Sequence, residues 1–153
     1  MAVWIIRGGS DQGLHEEEFL ESESIGIYFG AEGTARKPDD ELRAEIRSSN
    51  LLWNEERGIV MEPSRVDGVA TRFLNQVLLF RDAVQPGDTV IMPRKKSKGH
   101  LVRRGVIQSG YEFWPNEVYP HQRRVKWETE DMPRGRVPYL WYPSNQQTIF
   151  KVG

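Results

Sequence analysis

The stretch that decides the fold is Val84-Gln85-Pro86-Gly87-Asp88-Thr89-Val90-Ile91-Met92-Pro93, because the hydrophobic period changes within it. Before it, Ser64 with Asp67 three residues on opens a helical pattern in which Val66, Ala70, Phe73, Val77 and Phe80 form one apolar stripe, which predicts a helix over 64–84. Pro86-Gly87-Asp88 ends it. After it the period is that of strands, at Thr89–Pro93, Gly99–Ser109, Arg123–Glu128 and Thr148–Val152. In Arg123–Glu128, Val125 and Trp127 alternate with Arg124 and Lys126, so one face meets the core and the other carries charge.

Upstream, Val3-Trp4-Ile5-Ile6-Arg7 reads as a strand stopped by Gly8-Gly9, and Ile25-Gly26-Ile27-Tyr28-Phe29-Gly30 as a second. Pro38-Asp39-Asp40-Glu41 starts a short helix over 39–48, with carboxylates at the positive end of its dipole. Strands at both ends with helices between them predict an α+β fold around a small, curved, partly closed β-barrel flanked by helices. The 153 residues suit one domain over 1–153.

The chain has no cysteine, which excludes disulfides, thiolate metal sites and a cysteine nucleophile and fits a cytoplasmic location. No signal peptide, membrane span or membrane partner is expected. The net charge of −1 conceals a gradient: residues 94–136 hold eleven Lys or Arg against five Asp or Glu, giving +6 there and −7 elsewhere. Such a segment can present an anion-binding face, or can simply be the solvated side of strands.

Sixteen aromatics make up 10% of the chain, and eight of them fall between Tyr111 and Tyr142. Aromatics interleaved with Lys and Arg suit nucleic acid, since a stacked base is worth roughly 1–3 kcal/mol and its extrusion from a duplex costs a few. Trp4 and Trp127 belong to the core by position. Trp114, beside Pro115-Asn116-Glu117 in a polar loop, reads as a pocket or surface contact. Tyr28 and Phe29 are adjacent in a strand and must face opposite ways, one to the core and one free. Trp53 either plugs the core or lines a site.

Arg94-Lys95-Lys96-Ser97-Lys98-Gly99-His100 is the best candidate for phosphate contact, against the reading of a turn kept soluble by its charge. Arg123, in phase with Val125 and Trp127, points inward and needs a carboxylate, carbonyls or an anionic ligand. His121 either bonds a ligand or serves as a turn residue. Catalytic and metal-binding motifs are missing, and the acidic runs Glu16-Glu17-Glu18 and Asp39-Asp40-Glu41 read as helix surface and helix start. The chain is expected to be non-catalytic and to need no cofactor.

Several segments resemble the PUA-like superfamily that includes the EVE and YTH domains, and above all the N-terminal reader domains of Mrr-type modification-dependent restriction nucleases. They are Trp4-Ile5-Ile6-Arg7-Gly8-Gly9, Glu18-Phe19-Leu20 before Ile25-Gly26-Ile27-Tyr28-Phe29-Gly30, Gly87-Asp88-Thr89-Val90-Ile91-Met92-Pro93, Gly105-Val106-Ile107 with Gly110-Tyr111, His121-x-Arg123-x-Val125-x-Trp127 and Gln147-Thr148-Ile149-Phe150. The ordered set spans nearly the whole chain. It departs from the pattern near position 29, where Tyr28-Phe29 stands for Trp, and at Trp114, where a polar residue is expected.

The resemblance implies a reader of modified bases, such as 5-methylcytosine or N6-methyladenine, flipped out of DNA into an aromatic pocket, with RNA as the alternative partner. It implies Tyr28 or Phe29 as one wall, Trp114 as another, and Ser10 and Asp11 at the base edge. It also implies service in a restriction or defence system whose nuclease is a fused or separate subunit. Independently of the resemblance, an aromatic surface that docks a protein is the remaining alternative.

Overall fold

Helical periodicity in the first half of the chain and strand periodicity in the second place helices on one face of a sheet. In the computed structural model, which describes residues 1–9, 13–95, 100–137 and 148–152, the strands are β1 (Val3–Ile6), β2 (Ser24–Ile27), β3 (Thr89–Arg94), β4 (Leu101–Ile107), β5 (Glu112–Phe113), β6 (His121–Trp127), β7 (Met132–Pro133) and β8 (Ile149–Lys151). The order across the sheet is β2-β6-β4-β3-β1-β8, with β5 on β6 and β7 on β4. Among the described residues only β1 and β3 pair in parallel. With helices α1 (Glu16–Glu21), α2 (Asp39–Glu56) and α3 (Pro63–Leu78) they form an α+β fold with a curled half-barrel sheet, as expected.

Both faces of the central strands are covered, so Trp4-Ile5-Ile6 and Val90-Ile91-Met92 are continuous apolar runs rather than alternating ones. Trp4, Ile6, Val90 and Met92 join Leu42, Ile46, Leu74, Val77 and Phe80 in the main core. Ile5 and Ile91 join Val102 and Val137 in a smaller one on the opposite face. At Gly105 the strands come too close for a side chain: a Cβ there would lie 2.6 Å from Val125 Cγ1.

The Asp88 carboxylate ties β1 to β3 by accepting the Trp4 indole N–H at 3.0 Å, the Ala2 amide at 3.1 Å and the Gln85 amide at 2.9 Å. Burial pushes its pKa up, but the three donors outweigh burial and hold it below the ordinary carboxylate value.

Two helices differ from expectation. α2 continues past Ser48 to Glu56 although Leu51, Leu52 and Trp53 are exposed. Its second half has no stripe for the core; Asn50 Nδ2 donates back within the helix to Ile46 O at 2.8 Å and to Phe29 O at 3.4 Å, and Arg47 at its middle pairs with Asp67 of α3 at 2.8 Å. α3 starts on Pro63, so Ser64 lies inside the helix rather than at its cap, and the N-cap Glu62 makes no side-chain cap. α3 also gives way at Leu79–Ala83 to a π turn, in which the Val84 amide donates to Leu79 O at 3.0 Å.

Candidate functional site

An aromatic cavity forms where β2 runs out. The chain leaves the sheet at Tyr28, and Phe29 and Gly30 take the left-handed backbone, with φ of 57° and 85°. A Cβ at position 30 would stand 2.9 Å from Asn50 Nδ2 and 3.1 Å from Ser49 Cβ, so this turn against α2 requires glycine. Tyr28 and Phe29 from this turn, Trp53 from α2, Val69 and Phe73 from α3, and Met61 between the helices enclose about 430 Å³. Ser49, Asn50 and Asn54 supply its polar edge.

The walls are fixed to different degrees. Phe29 and Phe73 lean together with ring centroids 5.1 Å apart. Trp53 is half exposed, with the Arg57 guanidinium 3.9 Å from its ring centre and Arg57 Nη1 donating to its carbonyl at 3.0 Å. The Tyr28 hydroxyl donates to Glu32; burial first, then that hydrogen bond, pushes its pKa up to about 12, so it stays a neutral phenol. The Asn54 carboxamide has no side-chain hydrogen bond among the described residues, leaving a donor and an acceptor at the cavity edge.

Three of the residues predicted for a base pocket, Tyr28, Phe29 and Trp53, thus meet in one cavity. Tyr28 and Phe29 do not face opposite ways, because strand alternation ends at Ile27 and the left-handed turn brings both to the same space. Trp114 is elsewhere. It follows β5 on the far side of β6 from β2, its indole N–H donates to Glu112 at 3.1 Å, and the Arg124 guanidinium lies 5.5 Å from its ring centre. Ser10, Asp11, Lys96 and Lys98 lie outside the described residues.

Three residues considered for contact with a ligand or with phosphate, Arg94, His121 and Arg123, are buried. Arg94 is buried, with Nε 3.0 Å from Glu16, Nη1 2.7 Å from Asp131, and Glu17 on Nη2. Burial works against its charge, but the carboxylates outweigh it and raise the pKa. His121 is fully buried. Its Nε2 lies 2.7 Å from Ala31 O and its Nδ1 2.7 Å from the Tyr111 hydroxyl, which in turn accepts the Ala35 amide at 2.9 Å. This fits a neutral imidazole that donates from Nε2, and burial lowers its pKa.

Arg123 does point inward, as its phase predicts, and its partners are carbonyls. It donates to Phe80 O at 2.6 and 3.1 Å and Arg81 O at 2.9 Å, carbonyls of the π turn, and to Ser109 O at 3.1 Å beyond β4. Burial lowers its pKa to about 10, which leaves it charged at neutral pH. Lys95 remains exposed.

Four arginines of the basic segment are held by carboxylates: besides Arg94, Arg103 pairs with Asp131 at 2.6 Å, Arg104 with Glu128 at 2.8 Å and Arg124 with Glu112 at 3.0 Å. By contrast, Arg65 and Arg72 of α3 have no ion pair or side-chain hydrogen bond among the described residues. They stand seven residues apart with cavity-lining Val69 between them, two turns of one helix face. The sequence signal was present, since both fall off the apolar stripe, but it lay outside the segment richest in positive charge.

Together these features define an α+β half-barrel with an aromatic-walled cavity at its helical hairpin. Residues 4–152 match the family described as Domain of unknown function (DUF8426), and the chain belongs to that family. No curated protein and no solved structure matches it. Among the described residues no helix is long and apolar enough to cross a membrane.

Proposed function

We propose that this domain is a non-catalytic, PUA-like (EVE/YTH-like) reader that takes a modified base of DNA into the cavity of Tyr28, Phe29 and Trp53. The observation that carries the reading is the convergence of these three side chains, 24 or more positions apart for Trp53, on one space edged by Asn50 and Asn54. Stacking on two rings at roughly 1–3 kcal/mol each matches the few kcal/mol needed to extrude a base. A methyl group buried beside them adds about 0.8 kcal/mol, so finer discrimination falls to the Asn54 carboxamide, which can pair with a base edge. Arg65 and Arg72, unpaired among the described residues, stand about one helical turn to either side of cavity-lining Val69 and are the cations available for the neighbouring phosphates. Any cleavage in a restriction or defence system would belong to a fused or partner subunit.

The test is a binding titration with matched duplexes that differ only in 5-methylcytosine, N6-methyladenine or the plain base, repeated with RNA and at several salt concentrations. The proposal expects a preference for one modified DNA and a log K that falls with log salt by about 0.9 per phosphate contact. Equal affinity for every oligonucleotide removes the modified-base reading, and tighter RNA binding transfers the site to RNA. Binding to none of them leaves an aromatic surface suited to a protein partner.

A further inference from the structure

Beside the aromatic cavity lies a second hollow of about 240 Å³, and the Phe29–Phe73 ring pair lines both spaces. Its chemistry is different. Arg72, Asn75, Gln76 and Leu79 recur at the i, i+3, i+4 and i+7 spacing of one helical face, and Thr148 lies across from them.

The frame around this hollow is fixed by Gln76, which is buried and behaves as a strand partner. Its Nε2 donates to Ile149 O at 3.0 Å and its Oε1 accepts the Ile149 amide at 2.8 Å. The Arg7 amide holds the carbonyl of Thr148 at 3.0 Å. Thr148 is thereby set against α3 by its backbone while its hydroxyl is left over. The Arg72 guanidinium, the Asn75 carboxamide and the Thr148 hydroxyl have no side-chain hydrogen bonds among the described residues. Among the described residues no carboxylate lines the hollow. A cation and two neutral donors on a fixed frame, without a negative partner, suit an oxyanion, and a guanidinium suits the oxygens of a phosphate in particular.

We infer that this hollow is a phosphate subsite, and that the two spaces together hold one 5′-phosphorylated nucleotide. The base lies against Tyr28 and Trp53, and the phosphate reaches Arg72, Asn75 and Thr148 past the edge of the Phe29–Phe73 pair. The nucleotide assignment rests on the base-cavity reading, whereas the anion subsite stands on its own donors. The two volumes together fall in the roughly 300–1,000 Å³ range of small-ligand sites. The consequence is a ligand smaller than a polymer: a single nucleotide carries the essential recognition groups.

Calorimetric titration of the full chain tests this with 5-methyl-2′-deoxycytidine, N6-methyl-2′-deoxyadenosine, the 5′-monophosphate of each, and inorganic phosphate. At least one monophosphate is expected to bind about tenfold tighter than its nucleoside. Arg72→Ala should abolish that ratio without changing the melting temperature, because the side chain is exposed and, among the described residues, unpaired. Trp53→Ala should weaken nucleoside and nucleotide alike and leave the ratio standing. Nucleosides that bind as well as their monophosphates overturn the phosphate subsite and leave the base cavity intact. Phosphate binding that Arg72→Ala removes, with no nucleoside bound, overturns the base cavity and the nucleotide with it. Binding of no probe overturns both.

Discussion

Replacing Arg94 by Met keeps much of the apolar stem while deleting the charge, and it should cost stability rather than ligand binding. Arg94 and Glu16 are 8% and 0% exposed, so their pair is hardly screened, whereas Glu17 at 63% adds little. Without the guanidinium, Glu16 keeps the Lys95 amide at 2.8 Å but no cation, and an uncompensated buried charge costs about 3–5 kcal/mol. With a urea m-value of about 2 kcal/mol/M, the unfolding midpoint should fall by roughly 1.5–2.5 M. Urea titration followed by circular dichroism reads this directly. The double variant Arg94→Met/Glu16→Met should be more stable than Arg94→Met alone, because removing both charges removes the orphan. A single-variant loss under about 1 kcal/mol, or a double variant no better than the single, refutes the assignment of Arg94 to the interior.

Lowering the pH from 7 to 5 should destabilise the protein through His121. Its folded pKa lies below the ordinary 6.5, so its contribution is fully present above that value and is lost as pH falls toward the folded pKa, at no more than about 1.4 kcal/mol per pH unit. Chemical unfolding across this range should show a flatter slope for His121→Gln than for the wild type. Asp88→Ala strands three N–H donors and should cost about 2–4 kcal/mol, read by thermal unfolding. In the wild type the share due to Asp88 is present above its ordinary pKa of 3.8 and disappears only as pH drops below it. Arg123→Met leaves the carbonyls of Phe80, Arg81 and Ser109 without their donor and should lower the melting temperature, while the salt slope of nucleic-acid binding stays as it was.

Local features were the legible ones. The break of period at Pro86-Gly87 located the boundary between helix and strand, and the alternation of Arg123, Val125 and Trp127 told which way Arg123 points. Non-local partners were not legible. Arg94 reads as a phosphate ligand beside Lys95 and Lys96 until Glu16, 78 positions away, is brought against it. His121 reads as a turn residue until Tyr111 and Ala31 enclose it. The cavity was half visible: the aromatic types at 28, 29 and 53 were marked, but alternation misled at Phe29, whose positive φ no neighbouring residue announces. Trp53 could be placed only once α2 was seen to run to Glu56 without a core stripe, which sets an exposed indole beside Met61 and Phe73.

The base cavity is tested most directly by comparing wild type and Trp53→Ala on a duplex with the preferred modified base and on its plain counterpart. Trp53 is half exposed, so its removal should leave folding intact and act on stacking alone. Trp53→Ala should lose about 1–3 kcal/mol on the modified duplex, lose little on the plain one, and keep the wild-type salt slope. Wild-type affinity of Trp53→Ala for the modified duplex, with the preference intact, would contradict a base held in this cavity.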